Sequence, residues 1–271
     1  MENEFKIKSL TTLPELEQVQ QLEQLVWGMG AIPTHQTLTA VKNGGLVLGG
    51  FKDGELVGFQ YSFPGFRNGE PYLCSHMLAI HPNHQKKGYG RLLKQAQKEE
   101  ALKKGYRLIT WTYDPLESVN ATLNIGKLKA ICRTYMEDCY GKLEGLNAGL
   151  ATDRFLVEWE IGKKEQRIHV NEAHAYKAAE VGDKAGFPEI THVELNEDFE
   201  TVLVPIPTAF QQIKKEEPQL AIDWRMKTRA IFQFLFRKGY MIVDVDRSRE
   251  EGLLYYILGK QTNNGGMEDE D

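Results

Sequence analysis

The sequence predicts an α/β protein of the α+β kind, with a mixed, mostly antiparallel central sheet flanked by helices and a smaller second half. Three observations predict this class. Runs of β-prone residues alternate with segments whose apolar residues recur every three or four positions, which is the helical period. A strand, a glycine-containing turn and a helix follow one another directly between His76 and Gln95. The length of 271 residues, with 41% hydrophobic and 26% charged residues, is enough for two ordinary globular domains.

The elements of the first 162 residues follow from these patterns. Asp53-Gly54 lies between two β-prone runs and is a preferred sequence for a tight hairpin turn. Thr34 is placed to cap a second short helix, which ends near the Gly44-Gly45 pair. The predicted strands are 5–10, 46–51, 56–63, 72–80, 108–113 and 155–161, and the predicted helices are 14–26, 34–44, 91–105 and 120–137.

The polar stretch at residues 162–167 predicts a domain boundary, which gives a first domain at 1–162 and a second at 163–262. Residues 263–271 are rich in Gly, Asn and acidic side chains and are predicted to be a disordered tail. The second domain contains no glycine-rich loop for an anion, so no coenzyme site is expected there. Its predicted elements are strands at 201–206, 241–245 and 253–258 and a long helix at 219–239.

Composition and charge exclude several classes of protein. A net charge of −5 argues against a general nucleic-acid binder, because such binding depends on neutralising phosphates. No run approaches the roughly 20 apolar residues of a membrane span, and Met-Glu-Asn-Glu does not resemble the start of a signal peptide. The three cysteines form no metal or redox motif, and Cys132 and Cys139, on a predicted helix, are interpreted as buried thiols. His81-x-x-His84 lacks a third ligand, so no metal is expected. We therefore expect a cytoplasmic protein whose partners include neither nucleic acid nor a membrane.

The turn at residues 85–90 (QKKGYG) is the most informative segment of the chain. Glycines at a helix start let the backbone approach a ligand closely, and the free N–H groups there attract anions. Nearby Lys86, Lys87, Arg91 and Lys94 add positive charge, so a pyrophosphate is the natural ligand. The dinucleotide-binding pattern needs a third glycine, but position 93 is Leu, and the Gly-Lys-Ser/Thr sequence of the P-loop is absent.

These residues resemble motif A of the GNAT acetyltransferase superfamily, Q/R-x-x-G-x-G/A. Gln85, Gly88 and Gly90 fill its three defined positions, and the preceding strand ends in the apolar pattern Leu78-x-Ile80-x-Pro82. The predicted element order of residues 1–162 is also the GNAT order. The resemblance implies that acetyl-CoA, or another acyl-CoA, is a co-substrate held mainly by backbone groups. The residues implied in its binding are Leu78, Ala79, Ile80, Gln85, Lys86, Lys87, Gly88, Tyr89, Gly90 and Arg91.

The whole chain also resembles an uncharacterised bacterial family that joins one GNAT domain to a degenerate GNAT-like second half. The resemblance continues into the helix at 224–240 and is carried mainly by Val26-Trp27-Gly28, Gly49-Gly50, residues 77–90 and 110–116 (TWTYDPL), Asn120-Ala121 and Leu123-Asn124. It implies that the second half packs on the first without a coenzyme site of its own. An unrelated α+β extension is the alternative.

The resemblance also suggests catalytic roles. Tyr135 lies five residues before Tyr140, which is the spacing of the family's tyrosine that protonates the leaving thiolate, although an ordinary half-buried tyrosine is the alternative. Asn120 or Asn124 can contact the pantetheine arm or can simply cap the helix. His76 is predicted to face the same side of its strand as Leu78 and can accept an amine proton, or can be an interior histidine.

Two functions of different class follow from these residues. The first is an acyl-CoA-dependent N-acyltransferase that moves acetyl, or a longer acyl group, to the primary amine of a small molecule by direct attack in a ternary complex. The second is a catalytically inactive protein that binds acyl-CoA or a partner on a GNAT scaffold. The sequence identifies neither the acceptor nor the oligomeric state.

Overall fold

A computed structural model of the chain describes residues 5–28, 30–141, 150–163 and 170–260. The chain divides into two units by its internal contacts. Unit 1 contains residues 1–112 and 158–165, and unit 2 contains residues 113–157 and 166–271. Each unit is built on β-structure with flanking helices, and none of the helices in the described residues is long and apolar enough to cross a membrane.

Unit 1 is built on the strand order β1-β2-β3-β4-β5, and residues 158–160 lie next to β5. All neighbouring pairs from β1 to β4 are antiparallel, and β4 and β5 are parallel, so the sheet is mixed and mostly antiparallel, as predicted. The strands are β1 Lys6–Ser9, β2 Leu46–Lys52, β3 Glu55–Arg67, β4 Glu70–Ile80 and β5 Leu108–Tyr113, whose last residue belongs to unit 2. The helices are α1 Leu13–Trp27, α2 Thr34–Lys42 and α3 Tyr89–Lys103.

A different helix packs on each face of the sheet of unit 1. Because side chains alternate along a strand, Phe59 and Tyr61 of β3 lie on one face, where they pack in a cluster with Leu16 and Val19 of α1. The intervening Gln60 lies on the other face, which α3 covers with its buried residues. The two faces therefore separate an apolar core under α1 from a more polar one under α3.

Two local predictions of turn and cap geometry can be compared with the structure. Asp53 and Gly54 both have positive φ, 53° and 86°, which is the conformation of the predicted tight hairpin turn. Thr34 was expected as a cap, but it is the first residue of α2 and Pro33 is the N-cap. The Thr34 hydroxyl donates a hydrogen bond to Gln20 Oε1 of α1 instead, at 3.2 Å.

Unit 2 contains a second set of neighbouring strands, in the order β7-β6-β12-β13-β11. The pairs β6-β12, β12-β13 and β13-β11 are antiparallel, and the short β8 is parallel to β11. A separate hairpin is formed by β9 and β10. The strands are β6 Ile131–Met136, β7 Arg154–Glu160 (its last three residues in unit 1), β8 Tyr176–Lys177, β9 Ala179–Lys184, β10 Phe187–Val193, β11 Thr201–Pro207, β12 Tyr240–Asp246 and β13 Leu253–Lys260. The helices are α4 Ser118–Ala121, α5 Phe210–Glu216 and α6 Pro218–Arg237.

The helix predicted at 120–137 is confirmed only as far as Lys127 and is wrong beyond it. Helix α4 ends at Ala121, a π-helical turn covers Thr122–Lys127, and the chain then forms β6, which pairs with β12 through Cys132 and Ile242. Gly126 weakens the last turn of this helical segment, because glycine is a poor helix former, and Lys129 then adopts a left-handed φ of 55° before a run rich in β-branched and aromatic residues. Cys132 is buried, but on this strand, and Cys139 is only partly buried in the turn that follows.

The two units do not coincide with the predicted division at residue 162. Residues 113–157 group with the C-terminal part of the chain, because the segment expected as a helix supplies β6 next to β12. The predicted strand at 201–206, the long helix and the final hairpin are confirmed by β11, α6, β12 and β13. The predicted tail at 263–271 lies outside the described residues.

Candidate functional site

The turn between β4 and α3 leaves a row of backbone N–H groups without protein acceptors. Lys86 and Gly88 have left-handed φ values of 62° and 83°, and α3 begins at Tyr89. The N–H groups of Arg91 and Leu92 donate to Gly88 O at 3.0 and 3.3 Å. Within the described ranges, the N–H groups of residues 86–90 donate no hydrogen bond to the protein. Such a run of free N–H groups at a helix start, with the helix dipole behind it, attracts an anion.

The side chains of this turn hold its backbone in place. Gln85 Nε2 donates to the carbonyl of Ile80 at 3.3 Å, which ties the turn to the end of β4. The Tyr89 ring stacks on Phe5 with centroids 4.0 Å apart and an interplanar angle of 2°. Tyr89 therefore contributes its N–H group to the turn, while its ring serves packing. The predicted basic residues Lys86, Lys87 and Arg91 are exposed around the same turn.

Strand β4 leaves its neighbour β5 before it reaches the turn. The two strands pair in parallel at only two positions, Leu73 with Ile109 and Cys74 with Thr110. Beyond Cys74, the β5 side of β4 has no paired strand residue in the described part of the chain, while its other edge continues to pair with β3 up to Ile80. The last six residues of β4 therefore present one open backbone edge that leads to the turn.

His76 has no pairing partner on β3, and its side chain therefore does not have the orientation that the sequence predicted. Tyr61 and Ser62 of β3 are consecutive, but they pair with Met77 and Ser75, so His76 forms a β-bulge. Its imidazole packs against the rings of Tyr61 and Phe63, with centroids 6.0 and 5.6 Å away. Both rings belong to the α1 face, so His76 does not share the α3 face of Leu78. Partial burial lowers the pKa of His76, although the residue remains exposed to solvent.

Lys94 is the second site residue that the sequence placed wrongly. It was expected to add charge around the turn, but its side chain is 2% exposed and lies beneath α3. Its Nζ donates to Ser75 Oγ at 2.8 Å and lies 3.6 Å from the centre of the Trp111 ring. Burial lowers the pKa of Lys94 to about 7. Lys94 therefore contacts β4 through Ser75 and β5 through Trp111, next to the last paired residues of the two strands.

A polar cluster surrounds Lys94 in the interior of unit 1. Gln97 Nε2 donates to Ser62 Oγ at 2.7 Å, and Gln60 Nε2 donates to the same hydroxyl and to Ser75 Oγ. The Oε1 atoms of Gln60 and Gln97 are buried without a hydrogen-bond partner in the described residues. The available sequence signal was the helical spacing of α3, which places positions 94, 97 and 101 on the same inward side as Leu93.

Tyr135 lies on β6 in unit 2, where its hydroxyl already has an acceptor. The hydroxyl donates to Asp153 Oδ2 at 2.5 Å, and Arg229 forms two further hydrogen bonds to the same carboxylate, at 2.7 and 2.8 Å. Burial and this hydrogen bond raise the pKa of Tyr135. The carboxylate of Asp153 therefore joins a strand tyrosine to an arginine of α6.

The two candidate asparagines differ in exposure. Asn120 is exposed on α4, whereas Asn124 is 4% exposed and lies in the π-helical turn. Both belong to unit 2, as does Tyr135, whereas His76 and the residues of the turn belong to unit 1.

The imidazoles of His81 and His84 lie beside the turn. Their ring centroids are 5.7 Å apart, and His81 Nδ1 accepts a hydrogen bond from the Asn83 N–H group. Among the described residues there is no group of three or more His, Cys, Asp or Glu side chains arranged to hold a metal ion.

Comparison with known proteins finds a family model that is similar to part of the chain. Residues 13–121 match the model of the Acetyltransferase (GNAT) family, which is 109 of the 271 residues. No curated protein sequence matches the chain.

Several solved structures are similar to part of the chain. The structure of yncA from Salmonella typhimurium, solved with its cofactor acetyl-CoA, is 16% identical, with a TM-score of 0.49, and covers 60% of this chain and 97% of its own. The ribosomal-protein-S18-alanine N-acetyltransferase from Escherichia coli is also 16% identical, with a TM-score of 0.49, and the match covers 62% of this chain and 100% of that protein. An aminoglycoside acetyltransferase from an uncultured soil metagenomic sample is 23% identical, with a TM-score of 0.38, and the match covers 42% of this chain and 81% of that protein.

The family match covers the elements that build the candidate site. It runs from the start of α1 through the whole of β4, the turn and α3, and ends with α4 at Ala121. The TM-scores of these structures are below 0.5, so the solved structures support no conclusion about this chain. Residues 13–121 of the chain are therefore similar to the Acetyltransferase (GNAT) family, as the family match alone shows.

Proposed function

We propose that the chain is an acyl-CoA-dependent N-acyltransferase that transfers acetyl from acetyl-CoA to the primary amine of a small molecule, by direct attack in a ternary complex. The observation that carries the proposal is the turn at residues 85–90, whose free N–H groups open α3 beside the unpaired edge of β4. The GNAT match over residues 13–121 supports the same reaction class.

The residues of unit 1 fit the coenzyme. The N–H groups of residues 86–90 have no protein acceptor within the described ranges, and exposed Lys86, Lys87 and Arg91 add the charge that a pyrophosphate requires. Gly88 has no atom within 4 Å of the position that a Cβ would take, so the turn is open on that side. The edge of β4 from Ser75 to Ile80 offers backbone groups that can pair with the amides of a pantetheine arm.

The chemistry requires an acyl donor, a neutral amine and a proton acceptor. A bound acyl-CoA supplies an acyl group activated as a thioester. His76 is the proposed acceptor of the amine proton, because its lowered pKa keeps the imidazole neutral near pH 7. Its position in the bulge of β4 directs it to the α1 face, where Tyr61 and Phe63 orient the ring.

Tyr135 remains the proposed general acid, and its surroundings define the test. The hydroxyl donates to Asp153, so it must change partner before it can protonate a thiolate. Replacing Tyr135 by phenylalanine should lower kcat by more than tenfold if the phenol is the acid. If the hydroxyl serves only as a hydrogen-bond donor to Asp153 within the fold, the variant should be less stable but should keep its kcat.

The coenzyme site can be tested by calorimetric titration of the full chain with acetyl-CoA, CoA and longer acyl-CoAs. We expect a micromolar Kd for one of them, which corresponds to about −8 kcal/mol. Gly88→Val should weaken binding by at least tenfold, because the β-branched side chain disturbs the turn and faces the ligand. Gly69→Val is the matched control, since Gly69 has φ 84° against 83° for Gly88, and neither glycine has an atom within 4 Å of its would-be Cβ.

The two glycine variants carry the same backbone strain, so their comparison separates folding from binding. Equal loss of affinity in both would remove the turn from the coenzyme site. Absence of binding to every acyl-CoA by the unmodified chain would refute the proposal itself. A preference among the acyl chains would identify the donor.

A non-catalytic acyl-CoA-binding or partner-binding protein is the second candidate function. The observation that favours it is the engagement of the Tyr135 hydroxyl with Asp153. Release of free thiol from acetyl-CoA with a panel of small amines distinguishes the two functions. Coenzyme binding without thiol release for any amine would select the non-catalytic protein.

A further inference from the structure

Lys94 lies where β4 and β5 separate, on the side of the sheet that α3 covers. The last paired residues of the two strands are Cys74 and Thr110. Ser75 follows on β4, and its Oγ atom accepts a hydrogen bond from Lys94 Nζ at 2.8 Å. Trp111 follows on β5, and the centre of its ring lies 3.6 Å from the same nitrogen. The ammonium group therefore contacts the first unpaired residue of each strand.

No opposite charge in the described residues accounts for a lysine in this place. Lys94 is 2% exposed, and the polar cluster around it consists of the neutral side chains of Gln60, Ser62 and Gln97. Cys74 is the titratable group that acts on Lys94, and burial raises the pKa of this thiol, so it is uncharged near neutral pH. A buried cation without a counter-ion opposes folding, and such exceptions to the packing rules are expected mainly at functional sites.

The Ser75 hydroxyl connects this charge to the open edge of β4. Ser75 is the first residue of that edge, which continues to Ile80 and so to the turn at residues 85–90. The Ser75 Oγ atom accepts hydrogen bonds from Lys94 and, at 3.4 Å, from Gln60 Nε2, and its own hydrogen has no acceptor in the part of the chain that the structure describes. A hydroxyl that accepts from an ammonium group is a stronger donor in turn. The Lys94–Ser75 pair thus offers a polarised donor at one end of the edge.

The length of the open edge matches the pantetheine arm of a coenzyme. A strand rises about 3.3 Å per residue, so the five steps from Ile80 back to Ser75 span about 16 Å. An extended pantetheine arm has about thirteen bonds between phosphorus and sulfur and a similar length of ~16 Å. An arm that follows the edge from a pyrophosphate in the turn therefore brings its sulfur to Ser75, and the pairing of β4 with β5 at Cys74 closes the edge beyond that point.

We propose that Lys94 and Ser75 form the site for the coenzyme sulfur and stabilise the thiolate that leaves when the acyl group is transferred. This inference rests on the proposed function. In that reaction the amine nitrogen forms the new C–N bond, the C–S bond breaks with its electron pair going to sulfur, and His76 takes the amine proton. The Ser75 hydroxyl donates to the charged sulfur until Tyr135 protonates it. Lys94 acts through Ser75 and is a positioning residue.

The charges of the lysine and the sulfur depend on one another. Burial lowers the pKa of Lys94 to about 7, so the lysine is only partly charged near neutral pH when no anion is bound. An opposite charge within about 4–6 Å lowers the pKa of an acidic group by about 1–3, and the thiolate favours the ammonium form in return. Ser75 is buried as well, so solvent screens the two charges little. The bound thiol should therefore ionise at a lower pH than the free thiol.

The test is an ultraviolet pH titration of the thiolate of CoA bound to the full chain. The same chain saturated with desulfo-CoA, in which a hydrogen atom replaces the thiol group, is the reference, because it subtracts the absorbance of the protein's own cysteines and tyrosines. We expect the pKa of the bound thiol to lie at least about 1 below that of free CoA in the same buffer. This is about a tenfold change in the ratio of thiolate to thiol.

Three substitutions assign this effect to its residues. Lys94→Met should raise the pKa of the bound thiol by at least about 1 and leave the Kd of desulfo-CoA unchanged, because it removes a charge that only the sulfur uses. Ser75→Ala should raise the same pKa, because the hydroxyl is lost. Lys98→Met is the matched control, since Lys98 lies one turn later on α3, with its Nζ atom 5.5 Å from the centre of the Trp159 ring, and should keep the lowered pKa. Lys94→Leu replaces the methionine variant if that variant does not fold.

The outcomes separate this inference from the proposed function. An ordinary pKa of the thiol on the unmodified chain, or equal values in Lys94→Met and Lys98→Met, would overturn the inference and leave the acyltransferase proposal intact. An unchanged pKa in Ser75→Ala would overturn it as well, because the lysine acts through that hydroxyl. A chain that binds neither CoA nor acetyl-CoA would refute the proposed function and, with it, this sulfur site.

Discussion

Replacing Lys94 by methionine should make the protein more stable, although it removes a hydrogen bond from the interior. Lys94 is 2% exposed, and its described contacts are Ser75 Oγ at 2.8 Å and the Trp111 ring at 3.6 Å. No carboxylate forms an ion pair with it in the described residues. A buried ammonium without a counter-ion disfavours the folded state, and methionine fills a similar volume without a charge.

The magnitude follows from the pKa of Lys94. Burial lowers it from 10.5 to about 7, and each tenfold change in proton affinity corresponds to 1.36 kcal/mol, so the charged form costs about 5 kcal/mol at most. Because the folded pKa lies below the unfolded one, the cost is fully present below pH 7 and is relieved as the pH rises toward 10.5. Between pH 7 and 9 the free energy of unfolding should therefore rise by about 2 kcal/mol through this residue.

Urea denaturation at pH 6, 8 and 9 measures both effects. Lys94→Met should raise the free energy of unfolding by about 1–4 kcal/mol at pH 6, and its advantage should shrink as the pH rises. Lys104→Met, an exposed change at the end of the same helix, should alter stability by less than about 1 kcal/mol at every pH. Cys74 is the titratable neighbour, and burial raises its pKa, so the series is repeated with Cys74→Ser.

Two results would refute this reasoning about Lys94. One is a Lys94→Met variant that loses more than about 1 kcal/mol at all three pH values, since Lys94 would then contribute favourable interactions in its charged form. The other is an unmodified chain whose stability does not rise between pH 7 and 9, which would mean that the folded lysine keeps an ordinary pKa.

Four further substitutions test the local geometry by urea denaturation. Gly88→Ala should lower the free energy of unfolding by about 1 kcal/mol, because alanine is strained at the φ of 83°. Gly90→Ala should raise it by up to about 1 kcal/mol, because Gly90 lies within α3 and its would-be Cβ is 3.7 Å from the nearest side-chain atom. Equal effects of the two substitutions would contradict this reasoning. Asp153→Asn should lower the free energy of unfolding by about 3–5 kcal/mol near neutral pH, because Arg229 loses the carboxylate to which it forms two hydrogen bonds. Burial alone would raise the pKa of Asp153, but Arg229 and Tyr135 lower it overall, so its contribution is present above pH 3.8 and lost as the pH falls through the lowered value. In the Asp153→Asn variant, the free energy of unfolding should therefore fall less steeply than in the unmodified chain as the pH is lowered. Arg225→Met should destabilise by a similar 3–5 kcal/mol, since it leaves Asp114 unpaired, and a neutral result would mean that solvent already satisfies Asp114.

The parts of the fold that the sequence predicted are those determined by local patterns. The Asp53-Gly54 turn needs two positive φ values, which this dipeptide adopts easily. In the predicted helix 219–239, Leu220, Trp224 and Ile231 recur at the helical spacing, and all three are buried in α6. The turn at 85–90 was predicted because glycine spacing and a preceding apolar strand are local features as well.

The parts that the sequence did not predict depend on contacts between distant segments. The bulge at His76 exists only because β3 lacks a partner for that residue, so no pattern within β4 reveals it. Strand β6 forms because β12, more than a hundred residues later, pairs with it. The periodicity around residues 120–127 favoured a helix that extended too far, whereas the run from Ile131 to Met136 has the β-branched and aromatic residues of a strand.

Lys94 and Arg225 show why the buried charges could not be assigned from local patterns. Each lies on a predicted helix and is nearly inaccessible in the structure, yet they differ in their partners. Arg225 has a carboxylate at 2.6 Å, supplied by Asp114 from 111 residues earlier, whereas Lys94 has only the hydroxyl of Ser75 and a ring. A guanidinium with a carboxylate can remain charged inside a protein, while an ammonium with a hydroxyl lowers its pKa instead. The residue type and its helical position are thus the same kind of signal in both cases, and the distant partner alone decides whether the charge stabilises the fold or opposes it.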